Sequence, residues 1–332
     1  MTEAYVFNPE GIKDEWATQE FERILAHFWT HNEFNYAPLR QFYLSIPTKH
    51  QHMLKVVLTF FVYSDGKVNE GLEHRVIPLC DLIEQQHLYV QQCLFEVIHA
   101  RTYSLLAQSL FPNYEERREV VNGNYARSVI DSIEDATNHI FNLAIKDGEP
   151  NYDKRIETFF GFACIENLFF SPMFVIIYYF KYQYASGVHD ISALTTSNEM
   201  IARDESEHVN THSHMVRYYS SIDSYDKDEL IQILNYMLKV AYGLCEAVVE
   251  LIGEDDSINL KSLNRYVRLQ ANNMLADMNI DHRVDDAGND FPWMDNMGFY
   301  VKTNNFEVLT TSYHATTNEL TREFNFYGTD KL

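Results

Sequence analysis

Apolar residues return at helical spacing along most of the chain. This pattern predicts helices over 12–29, 38–64, 74–111, 115–146, 151–183, 190–220, 226–252 and 257–278. The breaks carry their own signals. Pro112, in FPNYEE (111–116), cannot continue the helix before it, and YASGVHD (184–190), with Gly187 near its centre, reads as a turn. After FPWM (291–294) the periodicity fades, and residues 307–332 are polar with scattered aromatics, the pattern of a flexible tail. No internal repeat, low-complexity run or Pro/Gly-rich linker divides the rest. The simplest partition is one all-α domain over 1–306 and a C-terminal tail over 307–332.

Composition sharpens this picture. With 12 glycines and 8 prolines in 332 residues, and 46% of residues hydrophobic, long helices around a sizeable core are favoured over a sheet. The net charge of -22 argues against nucleic acid as a direct partner, because phosphate contact needs clustered Lys and Arg; it reads as a solvated acidic surface. Cys80, Cys93, Cys164 and Cys245 form no C-x-x-C pair and read as buried thiols of a reducing compartment. The opening MTEAYVFNPEGIKDEW lacks a basic region followed by an apolar core, so a cytoplasmic location is expected. The most apolar stretches, 53–63 and 158–180, are short or interrupted by Tyr, Glu, Pro and Lys, and are not read as membrane spans.

The informative chemistry is E-x-x-H, at Glu96–His99 and again at Glu205–His208. Residues three apart share a helix face, so each pair can offer a carboxylate and an imidazole to one ion. Two such helices, with one carboxylate from each of two more, make the four-helix di-metal site of ferritin-like bundles. The extra carboxylates chosen are Asp65, in FFVYSDGKVNE, and Glu166, in FACIENLFF, since both sit in apolar surroundings where an unpaired charge is costly. Four negative charges then balance two divalent ions. Oxygen and imidazole donors suit two iron ions, with manganese or a mixed manganese–iron pair as the alternative. A lone E-x-x-H is more often structural. A third pair, Glu84–His87, has polar neighbours and reads as a solvated face.

Tyr103 follows His99 by four residues and so lies one turn along the same face. Phe170 and Phe174 follow Glu166 by four and eight, and Ile201 precedes Glu205 by four. These three form an apolar layer expected around Tyr103. An aromatic stripe is usually plain core, but a tyrosine beside two metals inside it is a candidate for oxidation.

On these residues the chain resembles the class I ribonucleotide reductase small-subunit family. The matching stretches are HFWTHNEF (27–34), FFVYSDGKVNEGL (60–72), FEVIHARTYSLL (95–106), ENLFFSPMF (166–174), MIARDESEH (200–208) and FPWM (291–294), in order along nearly the whole chain. The resemblance implies that Asp65, Glu96, His99, Glu166, Glu205 and His208 are the metal ligands. It implies that Tyr103 carries a radical formed with dioxygen or a related oxidant. Trp29, Asp204 and His99 match the coupled residues through which the radical leaves, and Tyr313 matches the tail tyrosine that relays it. The partner implied is the large subunit, which reduces ribonucleotides to deoxyribonucleotides. It is anchored by the closing FNFYGTDKL, with Phe324, Phe326 and Leu332 as apolar contacts, and the small subunit is a homodimer. One departure is the spacing of 39 between Glu166 and Glu205, longer than the family pattern; the surplus is expected in the 183–196 loop. A di-iron oxygenase or ligand-binding oxidase on the same scaffold explains the ligands but gives Trp29, Asp204 and Tyr313 no role. A ferritin-like iron store would need cage contacts rather than a tail.

Overall fold

The computed structural model of the chain describes residues 11–121, 126–254 and 257–294. Among them the helices are α1 (Glu15–Leu25), α2 (Leu39–Ser45), α3 (Thr48–Gly71), α4 (Ile83–Leu110), α5 (Tyr114–Val121), α6 (Arg127–Leu143), α7 (Arg155–Cys164), α8 (Phe170–Tyr184), α9 (Ser192–Ser220), α10 (Lys227–Ile252) and α11 (Leu260–Asp277). Their ends are set by local chemistry. The Asp14 carboxylate accepts from the Ala17 N–H at 2.9 Å and caps α1, and the Asn259 side chain accepts from Ser262 N–H at 3.0 Å and caps α11. Gly253, at φ +76°, takes the left-handed turn that ends α10.

Three of these helices, with the rod formed by α7 and α8, make the bundle that matters. α3 packs on α4, α4 on α9, α9 on α7 and the turn after it, and α8 packs back on α3, closing a ring. α10 and α11 cover one side of that ring. α7 and α8 form one continuous rod joined by a π turn at Ile165–Phe169, and a second π turn, Leu72–Val76, extends α3. The segment Tyr152–Tyr184 is long and apolar enough to cross a membrane, but its most apolar window is entirely buried within the protein. It is the bundle's central helix.

Several expected boundaries are corrected. The stretch 38–64 is two helices, because Pro47 cannot continue α2 and Ile46 before it is extended, at ψ 155°. α3 runs on past 64, so Asp65 lies inside a helix. The helix expected from 74 begins at Ile83, after Pro78. The stretch 115–146 is likewise two helices, α5 and α6. Beyond α6, Asp147 (φ 54°) and Gly148 (φ 86°) turn a short hairpin of β1 (Ile145–Lys146) and β2 (Glu149–Pro150). The loop between α8 and α9 spans 185–191, as the turn signals indicated. All four cysteines are free thiols; Cys93 is half-buried and the other three are buried. The boundary expected between 306 and 307 lies outside the described residues.

Candidate metal centre

α4 presents Glu96, His99 and Tyr103 on one face, α9 presents Glu205 and His208, α3 brings Asp65, and the π turn brings Glu166. All seven are buried. Their donor atoms converge. Asp65, Glu96 and His99 form one group, and Glu96, Glu205 and His208 another, with the donor atoms of each group within 4.8 Å of one another. His99 Nδ1 lies 3.2 Å from Glu205 Oε1; His208 Nδ1 lies 3.2 Å from Glu96 Oε1 and 3.4 Å from Glu205 Oε2. Glu96 belongs to both groups and so stands where a bridging carboxylate would. Glu166 stands aside from these groups: its Oε1 accepts from Gln92 Nε2 at 2.8 Å, and its Oε2 lies 3.3 Å from His212 Nε2.

The electrostatics of this cluster are those of a site built for cations. Burial, then the neighbouring Glu96 and Glu205 charges, hold Asp65 well above the usual carboxylate range. Burial, with Glu205 and Glu96 nearby, does the same to Glu166. Burial opposes the charged form of His99 and His208, but the neighbouring carboxylates, Asp204, Glu205 and Glu96 for His99 and Glu205 and Glu96 for His208, outweigh it and raise both. Burial also opposes ionisation of Glu96, yet His208 and His99 hold it below the usual range. Both oxygens of Asp65, Glu96 and Glu205, together with Glu166 Oε2, His99 Nδ1 and His208 Nδ1, have no hydrogen-bond partner. Buried polar atoms without partners are rare and costly. Here those of Asp65, Glu96, His99, Glu205 and His208 converge, with Glu166 to one side, and two divalent ions would satisfy them. The donor set therefore fits the expected metals.

Around this centre the predicted exit residues meet. Trp29 Nε1–H donates to Asp204 Oδ2 at 2.6 Å, and the same oxygen lies 3.1 Å from His99 Nε2. The chain Trp29–Asp204–His99 is thus continuous, with the other nitrogen of His99 facing the carboxylates. Burial opposes the Asp204 charge, but His99, Arg203 and Trp29 outweigh it and keep Asp204 below its ordinary pKa. Tyr103 is fully buried, its hydroxyl donates to Asn198 Oδ1 at 2.9 Å, and burial pushes its pKa well up.

The ring of Tyr103 stacks on Phe61 at 4.7 Å. Phe170 and Phe174 pack on Phe61, at 5.9 and 4.9 Å, so they back the wrapping residue, and Ile201 is buried one turn before Glu205 on α9. Phe61, Asn198, Gln92 and His212 were missed at the sequence level; Phe61, Gln92 and His212 each sit four residues from an expected ligand. Glu84 departs from its expected solvated face: it is buried and accepts from the Lys13 N–H at 3.0 Å, while His87 is exposed. Tyr313 and the docking peptide lie outside the described residues. A cavity of about 10 Å³ between α3, α6 and the π turn, lined by Ser64, Val68, Ile133, Ile165 and Phe170 among others, has room for roughly one water; none of the expected ligands lines it.

A ring of four helices carrying two E-x-x-H motifs and two further buried carboxylates defines a ferritin-like di-metal carboxylate protein. Known proteins agree. The family model described as "Ribonucleotide reductase, small chain" matches residues 6–285, and the chain belongs to that family. The ribonucleoside-diphosphate reductase small chain of Yaba-like disease virus is 28% identical over 329 residues, covering 98% of this chain and 94% of the viral one. In structure, the dimanganese(II)-NrdF of Streptococcus sanguinis superposes with a TM-score of 0.67 at 17% identity, covering 86% of this chain and 95% of that one. The ribonucleotide reductase homodimer from Saccharomyces cerevisiae gives 0.68 at 18%, covering 87% and 86%. The protein is the small subunit of a ribonucleotide reductase. It generates and stores a tyrosyl radical at its di-metal site and passes the oxidising equivalent to the large subunit.

Proposed function

We propose that Tyr103 is the tyrosine oxidised, and that Asp65, Glu96, His99, Glu166, Glu205 and His208 hold the two metal ions beside it. The observation that carries this reading is a fully buried tyrosine one turn from His99, on the face that supplies two ligands. Iron is the first assignment, with manganese or a mixed pair as the alternative; the same fold is described with dimanganese(II) in the Streptococcus sanguinis protein. When bound, the ions supply the oxidising power, drawn from dioxygen or a related oxidant, for removing one electron from Tyr103. The protein's part is to exclude water and to hold the hydroxyl. Asn198 Oδ1 accepts the phenolic proton's hydrogen bond before oxidation, and Phe61 with Phe170 and Phe174 behind it shields the ring from reductants.

Trp29, Asp204 and His99 conduct the oxidising equivalent outward: an electron enters through the Trp29 indole while Asp204 holds the indole and imidazole N–H groups in line. Tyr313 then relays it to the large subunit, which FNFYGTDKL anchors through Phe324, Phe326 and Leu332. We assign the homodimer contact to the exposed apolar stripe of Val90, Leu94 and Val97 on α4, with Leu25 and Phe28 beside it. These are 42–56% exposed, an apolar face of the kind that monomers cover, and a second copy is its occupant. The location assigned is the cytoplasm. Deleting residues 307–332 tests the relay and the anchor. The truncated protein is expected to keep its metals and the Tyr103 radical but fail to support nucleotide reduction with its large subunit. Turnover at the full rate would remove the tail from the mechanism.

A further inference from the structure

α9 carries a third imidazole on the ligand face. Glu205, His208 and His212 are spaced three and four apart, so they form one stripe along the helix. His212 is fully buried, and its Nε2 has no hydrogen-bond partner. Nor has Glu166 Oε2, 3.3 Å away: the two atoms are close, but the ring N–H is not aligned to donate to the carboxylate. We propose that His212 is a further protein donor to the di-metal centre, binding through Nε2 the ion that Glu166 binds. The inference rests on the di-metal reading above.

Three observations support it. First, the spacing is that of two donors on one ion. Donors about 2.1 Å from a common ion at near right angles are about 3 Å apart. The other imidazole–carboxylate pairs of the cluster are 3.2 Å for His99 with Glu205, 3.2 Å for His208 with Glu96 and 3.4 Å for His208 with Glu205. His212 with Glu166 falls among them. Second, the other ring nitrogen is held in the way a ligating histidine requires. Nδ1 lies 2.8 Å from the Tyr89 hydroxyl, which fixes the ring, just as Asp204 fixes His99 from behind. With Nδ1–H donating to Tyr89, the lone pair of Nε2 is left to face Glu166, an arrangement that a cation between the two relieves. Third, Phe162 packs against the imidazole at 5.8 Å and Tyr89 at 5.3 Å, so the ring is enclosed and Nε2 lies out of bulk solvent. The consequence is one ion richer in nitrogen than its partner, and so two unlike metal positions.

The test uses the full chain loaded anaerobically with manganese(II) alone. In a crystal structure of that protein, an ion is expected within about 2.3 Å of His212 Nε2. In solution, His212→Gln keeps an amide N–H that can donate to Glu166 but removes the donor nitrogen. In competition against a chelator it is expected to bind one of the two ions at least about tenfold more weakly, with helical circular dichroism unchanged. If the variant misfolds, the crystal structure of the unaltered protein decides alone. Two bound ions with His212 Nε2 beyond bonding reach of both overturn the proposal and leave the six-ligand site intact. So does wild-type affinity for both ions in a folded His212→Gln. Failure to bind any manganese overturns the di-metal reading itself and this inference with it.

Discussion

The proposed ligand set rests on carboxylates taken out of water: Asp65, Glu96 and Glu205 have no hydrogen-bond partner, and Glu166 has one, Gln92. Glu205 and His208 sit a single helical turn apart and leave both carboxylate oxygens and Nδ1 unpartnered. Glu205→Ala or His208→Ala is therefore expected to lose metal from one or both positions, read by metal analysis. The helical fold should survive, because the core around the site is apolar and does not depend on the ions. Two ions per chain in either variant would contradict the ligand assignment. These residues were legible in sequence because a charged side chain inside an apolar run has few structural uses. Asn198, Gln92 and His212 were not, since a single polar residue at helical spacing looks the same on a buried face as on a solvated one. Phe61 was hidden by its own neighbours: in TFFVY it is one aromatic among several, and only the stacking on Tyr103 distinguishes it.

At the scale of elements, the approach of α7 to α6 depends on Gly161, where an added Cβ would come within 2.5–2.8 Å of the Ile140 side chain. Gly161→Ala is expected to destabilise the fold by about 1–3 kcal/mol through overpacking, measured by denaturant unfolding. A neutral effect would mean the two helices part easily. The rod formed by α7 and α8 also shows where sequence reading ends. Its residues from Ile156 to Phe180 are buried on every side, so apolar periodicity carries no face and cannot reveal the π turn at Ile165–Phe169. That turn sets the register of Glu166, and only packing determines it. Pro47 and the Asp147–Gly148 turn were legible in principle. They were read through because continuous periodicity on both sides outweighed a single local signal.

For the whole molecule, the metal centre ties stability to pH. Asp65 and Glu166 are raised in the fold, so the folded, metal-free protein keeps protons that the unfolded chain releases near pH 4. Stability therefore falls as pH rises through the interval between the unfolded and folded values. His99 and His208, also raised, add a contribution that is full below about pH 6.5 and is lost as pH climbs through their folded values. Glu96, lowered, matters only in acid. All four raised groups thus weaken the metal-free fold as pH rises above their unfolded values toward their folded ones. Bound ions replace those protons. The gain in Tm on adding manganese(II) is expected to be larger at pH 8 than at pH 6, measured by calorimetry with and without the metal. An equal or smaller gain at pH 8 would mean that these carboxylates and imidazoles are not what the ions bind.

The central claim is that Tyr103 is oxidised by the metals beside it. Electron paramagnetic resonance addresses it directly, on protein loaded with ferrous iron without oxygen and then exposed to air. An organic tyrosyl signal is expected in the unaltered chain. In Tyr103→Phe it should be absent while both irons remain bound. The same radical spectrum in Tyr103→Phe, or none in the unaltered protein with both irons in place, would contradict the account.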